Sequence, residues 1–387
     1  MEPTKPGHGE ARPIYLDYNA TTPHAPEVIE AIKPYLEEHF GNPSSSHVYG
    51  TKARAAVAQA REQVAALLGC HPDEVIFTSG GTESNNYAIR GLASCRRESG
   101  NHLITSQVEH PAVIEVCRFL ETQGFAVTYL PVDAAGMIDP ADVEAAITGK
   151  TILITIMHAN NEVGTIEPIE EIAAIAKRHG IALHTDAAQS AGKIPVEVDS
   201  LGVDLLSLAG HKLYAPKGIG ALFVKKGLSI ERMLFGAGQE RGRRAGTENV
   251  IHIVGLGKAC EIAKRDLADN ALKMYESRQR LFSSLHERVP GIRLNGHLEK
   301  RLPNTLSIGF PGVDADRLLD RIGTSVAASA GAACHSGSVS ISAVLQAMHV
   351  PPEWARGTVR FSTGRYTTVS EITSAVRVLE NAYKDLA

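Results

Sequence analysis

One lysine lies where a buried strand is predicted to end. Residues 207–212 (SLAGHK) place Lys212 just after an apolar run and among small neighbours. A lone lysine in a loop is usually a solvated surface charge. An amine at the end of a buried strand is instead partly desolvated, so its neutral form is available at about pH 7, as Schiff-base chemistry requires. The setting of Lys212 favours this second interpretation.

Two other segments carry the groups that such an amine would need as partners. Asp186 ends a predicted strand in residues 184–190 (HTDAAQS). A carboxylate there can pair with a protonated ring nitrogen, although Asp at a strand end also caps helices. Gln189 follows and can hydrogen-bond a phenolic oxygen. Residues 79–83 (SGGTE) join a strand to a helix, and their glycines allow a phosphate to approach backbone N–H groups. These features are typical of a pyridoxal phosphate site.

Two histidines and one arginine are further candidates for this site. His211 precedes the lysine and can contact a phosphate, and His110 in VEHPAV can lie flat on an aromatic ring. A lone histidine is more often a satisfied structural residue. Arg360 in residues 359–365 (VRFSTGR) can hold a substrate carboxylate in a bidentate fork, although it could also be a surface arginine. Arg365 is a weaker candidate for the same role.

Cys334 is the candidate for a second reactive centre. It lies at the middle of residues 329–337 (SAGAACHSG), which are small and polar. A structural cysteine usually lies in an apolar run, so this setting favours a reactive thiol.

Short β-branched runs alternate with helical patterns over the first two thirds of the chain. This alternation predicts an α/β fold with a largely parallel sheet, and ligands bind such sheets at the carboxyl ends of the strands. The last third predicts helices, then short strands at 304–309 and 358–362 and a closing helix at 370–386. The strands predicted for the sheet cover residues 74–78, 102–106, 125–130, 151–157, 182–186, 205–208 and 219–224.

Length and composition limit the class of protein. A chain of 387 residues exceeds the ~250–300 residues at which one core tends to split. We expect a loose tail at 1–13, a large domain at 14–261, whose first few residues could join the small domain, and a small α+β domain at 262–387. A net charge of −4 does not indicate a nucleic-acid-binding surface, which would be strongly basic. The sequence also lacks the apolar run that a signal peptide or a membrane span would need. Five cysteines without a C-x-x-C pair argue against disulfides or a zinc site, and a cytoplasmic location is expected.

Seven segments in order resemble the cysteine desulfurases, fold-type I pyridoxal-phosphate enzymes of the class-V aminotransferase family. The resemblance runs from about residue 14 to the C-terminus and implies a seven-stranded, mostly parallel sheet in the large domain. The segments are LDYNATTP (16–23), FGNPSSSH (40–47), TSGGTESNN (78–86), MHANNEVGT (157–165), HTDAAQS (184–190), GHKLYAPKGIGAL (210–222) and RAGTEN (244–249).

The resemblance implies a role for each matching residue. Lys212 would carry pyridoxal phosphate, Cys334 would be the persulfide-forming nucleophile, and His110 would stack on the ring and move protons. Arg360 would bind the carboxylate of L-cysteine. Thr247 would reach the phosphate of the neighbouring subunit, which implies a homodimer. The remaining implied cofactor contacts are Gly81, Thr82, Asn161 (also near the substrate), Asp186, Gln189 and His211.

Two positions depart from the pattern of this family. Many relatives have Ser where this chain has Ala209, so the phosphate would lose one hydroxyl donor, worth ~0.5–1.5 kcal/mol. The cysteine segment usually reads G-S-A-C followed by Ser or Thr, whereas this chain has Ala332 and His335 and resembles the selenocysteine lyases there. The choice between sulfur and selenium is therefore open at this stage.

The expected reaction converts L-cysteine to alanine and leaves a persulfide on Cys334 for a sulfur-acceptor protein, such as a cluster scaffold or a thio-modification relay. Lys212 would remove the α-proton. No resident metal is expected, although Cys334 could transiently ligate an iron–sulfur cluster. Three alternatives remain: a selenocysteine lyase, an aminotransferase, which would not need Cys334, and a regulator that keeps the fold without chemistry.

Overall fold

The computed structural model describes residues 12–330 and 341–387. The strands are β1 (Ile14–Tyr15), β2 (Val75–Thr78), β3 (His102–Ser106), β4 (Ala126–Leu130), β5 (Thr151–Thr155), β6 (Ala182–Asp186), β7 (Leu205–Ala209), β8 (Gly220–Val224), β9 (Arg293–Asn295), β10 (Thr305–Gly309), β11 (Val326–Ala327) and β12 (Thr358–Ser362). The helices are α1 (Pro26–Glu37), α2 (Val48–Leu68), α3 (Gly81–Cys95), α4 (Pro111–Thr122), α5 (Pro140–Ala146), α6 (Ile169–His179), α7 (Val198–Leu201), α8 (Val250–Arg265), α9 (Leu267–Arg288), α10 (Ala315–Ile322), α11 (Ala343–Ala347), α12 (Pro352–Ala355) and α13 (Val369–Leu386).

A seven-stranded sheet organises the first two thirds of the chain. Its strand order is β2-β8-β7-β6-β5-β3-β4. The strands from β7 to β4 pair in parallel, and β8 pairs antiparallel with both β7 and β2. Strands β6, β7 and β8 are buried throughout, as expected for strands covered by helices on both faces. The predicted α/β class and the mostly parallel seven-stranded sheet are thus confirmed.

A smaller antiparallel sheet, in the order β12-β10-β9, forms a second core with helices α9, α10 and α13. The chain enters this core at its beginning, because β1 pairs in parallel with β11 and Leu16 is fully buried among the second core's side chains. The division at residues 261 and 262 stays a prediction. No helix in the described ranges is long and apolar enough to cross a membrane.

Candidate active site

A cavity of about 1110 Å³ opens at the carboxyl ends of the parallel strands. This is the edge at which ligands bind in open α/β sheets. Nine of the residues predicted from the sequence line this cavity, although they come from segments up to 279 positions apart. They are Gly81, Thr82, His110, Asn161, Asp186, Gln189, His211, Lys212 and Arg360.

Lys212 ends a short 3-10 turn that follows directly on β7. Its Nζ donates to the carbonyl oxygens of Ala20, at 2.8 Å, and Asn19. Burial, together with the positive charge of Arg360, lowers the pKa of the amine from 10.5 to about 8, against the opposing charges of Asp17 and Asp186. A pKa near 8 leaves about a tenth of the amine neutral at about pH 7, which makes Lys212 a competent nucleophile.

The carboxylate of Asp186 is held in place by a donor on each oxygen. Oδ1 accepts from the backbone N–H of Ala188 at 2.9 Å, and Oδ2 accepts from Asn85 Nδ2 at 2.7 Å. Asp186 is buried, and it ends β6 as the sequence predicted. Asn85 lies on α3, and its own buried Oδ1 has no hydrogen-bond partner within residues 12–330 and 341–387. These contacts fix the direction in which the Asp186 carboxylate faces.

His110 has a structural role and also lies where the predicted contact with an aromatic ring is possible. It is the N-cap of α4, where its Nδ1 accepts from the backbone N–H of Ala112 at 3.1 Å. The proton of the neutral imidazole therefore lies on Nε2, and the ring also lines the cavity. Burial lowers the pKa of His110, and the charge of Lys212 adds to this against Asp186, so the neutral form dominates at about pH 7.

The N-terminus of α3 provides an anion-binding end to the cavity. Gly80 has a φ of 149°, which brings the chain from β2 into the helix, and Gly81 and Thr82 follow in its first turn. The first N–H groups of a helix have no intrahelical acceptor. A Cβ on Gly81 would lie 3.2 Å from the Cβ of Ala209, so residue 209 faces this helix end. His211 lies nearby, and its Nδ1 is 3.2 Å from Thr21 Oγ1.

Arg360 presents a guanidinium group to the cavity from strand β12. It donates to the Asp17 carboxylate at 2.8 Å and to the carbonyl oxygen of Asn161 at 3.1 Å, and its side chain is only 6% exposed. Its Nε is buried and has no hydrogen-bond partner among the described residues. Arg360 is therefore not a surface arginine, and its contacts with Asp17 and Asn161 use two of its five N–H groups.

Two predicted residues do not line this cavity, and the position of a third is not described. Thr247 lines a separate pocket of about 260 Å³ with Thr78 and Ser79. Arg365 stacks on Tyr214, with its guanidinium carbon 4.1 Å from the ring centroid. Cys334 lies outside the described residues. Within those residues, no group of His, Cys, Asp and Glu side chains is arranged to hold a metal.

Several residues at the site were not selected from the sequence. Asn19 contacts both Lys212 and Gln189 through its carbonyl oxygen, and Lys193 donates to Gln189. Asn85 hydrogen-bonds the carboxylate of Asp186, and Asp17 accepts from the guanidinium of Arg360. Asn19, Asp17 and Asn85 all lie inside segments that carried the family resemblance, which was the available signal, whereas Lys193 lies three residues beyond the HTDAAQS segment.

The residues in the cavity fit pyridoxal phosphate. The lowered pKa of Lys212 suits imine formation with an aldehyde. The fixed Asp186 carboxylate suits a pyridinium nitrogen, and the free N–H groups of α3 suit a phosphate. An amine, a carboxylate and an anion-binding helix end within one cavity are the three groups that this cofactor requires.

Comparisons with known proteins agree with this chemistry. The family model for aminotransferase class-V matches residues 14–374. Cysteine desulfurase IscS of Dictyoglomus turgidum is 49% identical over 376 residues, covering 97% of this chain and 95% of the relative. A solved structure described as a NifS-like protein superposes with a TM-score of 0.91 at 37% identity, covering 97% of this chain and all of that one.

A second solved structure, described as SspA in complex with cysteine, has a TM-score of 0.81 at 41% identity and covers 92% of this chain and 99% of its own. The region matched by the family model begins at β1 and ends within the first third of α13. Family model, curated relatives and solved structures all lead to the same conclusion as the site. The chain belongs to the class-V aminotransferase family and, within it, to the cysteine desulfurases.

Proposed function

We propose that this protein is a pyridoxal-phosphate-dependent cysteine desulfurase, which converts L-cysteine to L-alanine and passes the sulfur to an acceptor. The observation that carries the proposal is the presence of Lys212, Asp186 and Arg360 in one cavity. The first two suit the cofactor, and the third suits the carboxylate of an amino acid. The relatives named cysteine desulfurase support the substrate, as does the related structure described with cysteine.

When bound, the cofactor supplies an imine linkage and an electron sink that make the α-proton of an amino acid acidic. Lys212 would hold it covalently, Asp186 would pair with its ring nitrogen, and Gln189 would face its phenolic oxygen. Gly81 and Thr82 at the start of α3, together with His211, would bind its phosphate. The flat face of the His110 ring would lie against the cofactor ring, since the contact that caps α4 uses only Nδ1 at the edge of the imidazole.

Arg360 would bind the carboxylate of L-cysteine. Its NH2 group is held by Asp17 and its NH1 group by the carbonyl oxygen of Asn161, so the direction of the fork is fixed before the substrate enters. The N–H groups of the guanidinium that these two contacts do not use would donate to the substrate. This fixed geometry lowers the entropic cost of orienting the α-carbon toward Lys212. Lys212 Nζ would then accept the α-proton.

Cys334 would accept the sulfur atom. Its thiolate forms an S–S bond to the substrate sulfur while the Cβ–S bond of the substrate breaks, and the electron pair of that bond passes to the β-carbon. Protonation of this carbon, with His110 as the proton carrier, gives alanine. The net change is Cys334–SH plus L-cysteine to Cys334–S–SH plus L-alanine, so no external oxidant or reductant is needed.

We also propose a cytoplasmic homodimer with shared sites. Thr247 is absent from the lining of the cavity that holds Lys212, and it lies instead in a separate pocket beside Ser79. This position suits a threonine that serves the phosphate site of a second subunit. The sulfur acceptor would be a protein, such as a cluster scaffold or a thio-modification relay.

The test uses Cys334→Ala, with Cys95→Ala as the matched control because Cys95 is an exposed free cysteine at the end of α3. We expect the C334A variant to keep the visible band of the bound cofactor and to lose alanine formation from L-cysteine, while C95A keeps both. Normal turnover by C334A would contradict the persulfide role. A higher kcat/KM for selenocysteine than for cysteine would contradict the choice of substrate.

A further inference from the structure

Lys193 is a buried amine that the proposed chemistry does not use. It is 5% exposed, and burial together with the charges of Lys212 and Arg360 lowers its pKa well below the usual range of lysine. Burying an amine is costly unless hydrogen bonds compensate it. Lys193 makes two, to Gln189 Oε1 at 2.9 Å and to Asn19 Oδ1 at 3.1 Å. A cost of this kind suggests a role for the side chain.

The hydrogen bonds of Lys193 determine which way the amide of Gln189 faces. A lysine side chain has three N–H donors when charged and still has two when neutral. Lys193 can therefore donate to both contacts in either state, and the atom of the Gln189 amide that it contacts is the oxygen. The nitrogen of the amide must then lie on the opposite side, where it donates to the carbonyl oxygen of Asn19 at 3.0 Å.

The second N–H of Gln189 is left for the cavity. The side chain has two donor hydrogens, of which one is used by Asn19, and Gln189 lines the cavity that holds Lys212. Lys212 donates to the same carbonyl oxygen of Asn19. Gln189 therefore offers a donor close to the lysine that would carry the cofactor. If the amide were turned over, it would offer an acceptor there instead.

We propose that Lys193 is a positioning residue that fixes Gln189 as a hydrogen-bond donor toward the phenolic oxygen of the cofactor. The inference rests on the proposed function, because it requires the cofactor on Lys212. A donor at that oxygen stabilises its anionic form and weakens the internal hydrogen bond to the imine nitrogen. Lys193 therefore keeps the pKa of the imine nitrogen low through Gln189, so that a larger share of the linkage is unprotonated at physiological pH.

The test is a pH titration of the visible band of the holoenzyme, without substrate. In Lys193→Met the Gln189 amide is free to turn, and we expect the pKa of the imine nitrogen to rise by about one unit, the size expected for the loss of one hydrogen bond. Gln189→Glu gives Lys193 an acceptor but gives the cavity no donor, so we expect a rise of at least the same size. Lys193→Gln replaces K193M if the latter is insoluble.

A double-mutant cycle separates positioning from a merely structural role. If Lys193 acts through Gln189, the K193M substitution changes the pKa of the imine little in a Gln189→Ala background. An equal shift in both backgrounds would overturn the proposal, as would an unchanged pKa in K193M or Q189E. Asn295→Ala is the control, because Asn295 is a buried side chain that bonds to Ser307 and Thr358 in the smaller sheet. It should leave the band unchanged.

The wild-type protein distinguishes this proposal from the proposed function. If wild type shows no visible band with pyridoxal phosphate, or no alanine from cysteine, the proposed function fails. If wild type shows both and K193M titrates like wild type, the proposed function stands and only the role of Lys193 is wrong.

Discussion

The pKa of Lys212 predicts how the stability of the cofactor-free protein depends on pH. The amine titrates at about 8 in the folded protein and near 10.5 when unfolded. Between these values the unfolded state binds more protons, so the free energy of unfolding rises with pH. The penalty of charging a buried amine is fully present below about pH 8 and disappears as the pH approaches about 10.5. The shift of 2.5 pH units corresponds to about 3 kcal/mol at its maximum.

Lys212→Met removes this titration while keeping a side chain of similar length. The difference in unfolding free energy between wild type and the variant should change with pH in favour of wild type. With both pKa values inserted in the linkage relation, the gain of wild type between about pH 7 and about pH 9.5 is about 2 kcal/mol. Other titrating groups are present in both proteins and cancel in the difference. The variant should therefore have its greatest relative stability at neutral pH or below.

The measurement is urea unfolding of both cofactor-free proteins across this pH range, followed by the fluorescence of the single tryptophan. Lys225→Met is the control, because Lys225 is an exposed lysine that pairs with Asp204. Its difference from wild type should stay nearly constant. A constant difference for K212M, or one that changes in the opposite direction, would refute the claim that the amine is desolvated and ready to react.

Two further substitutions test other parts of the site. Ala209→Ser places a hydroxyl beside the N-terminus of α3. It should tighten pyridoxal phosphate binding about two- to tenfold in equilibrium dialysis, as one added hydrogen bond would. Unchanged affinity would show that residue 209 does not face the phosphate. Glu109→Gln should stabilise the protein relative to wild type as the pH rises from about 5 to about 8, by a few kcal/mol at most. Burial raises the pKa of Glu109 to about 8, so over this range the unfolded wild-type carboxyl loses its proton while the folded one keeps it, and the wild type loses stability. Urea unfolding at several pH values measures this, and parallel stability curves would count against a buried, protonated Glu109.

The alternation of strands and helices could be predicted from the sequence, because strands buried on both faces appear as short, continuous apolar runs. The ranges 102–106, 182–186 and 358–362 coincide with β3, β6 and β12. The predicted strand at 151–157 was too long. The chain stops pairing with β3 after Ile154 and turns toward a bridge between Ala159 and Ile166, so apolar residues continue beyond the end of β5.

Helix α2 was not predicted, although it is one of the longest helices in the described residues. Its buried face consists largely of small residues, among them Ala53, Ala56, Ala60 and Ala65. Alanine carries a weak hydrophobic signal, so the helical period is hard to see in the sequence. Its signals were local ones: His47 accepts a hydrogen bond from Gly50 at the N-terminus, and Gly69 ends the helix with a φ of 67°.

The charged groups of the site were predictable one at a time, but the contacts that orient them were not. Asn19 shows why. Its side-chain oxygen accepts from Lys193 and from Asn304, its side-chain nitrogen donates to Thr305 and to the carbonyl oxygen of Asn161, and its carbonyl oxygen accepts from the catalytic candidate Lys212. Each partner is more than a hundred positions away, and asparagine has no spacing rule that would reveal such a set.

These contacts join the two cores of the molecule at the position where the reacting lysine must be fixed. Thr305 begins β10, the central strand of the smaller sheet, and Asn304 directly precedes it, whereas Lys193 and Lys212 follow strands of the larger sheet. Every polar atom of the Asn19 side chain has a partner, so a change at this residue would remove one of the two acceptors of Lys193 and one of the two acceptors of Asn304. The orientation of Lys212 therefore depends on how the two cores pack against each other.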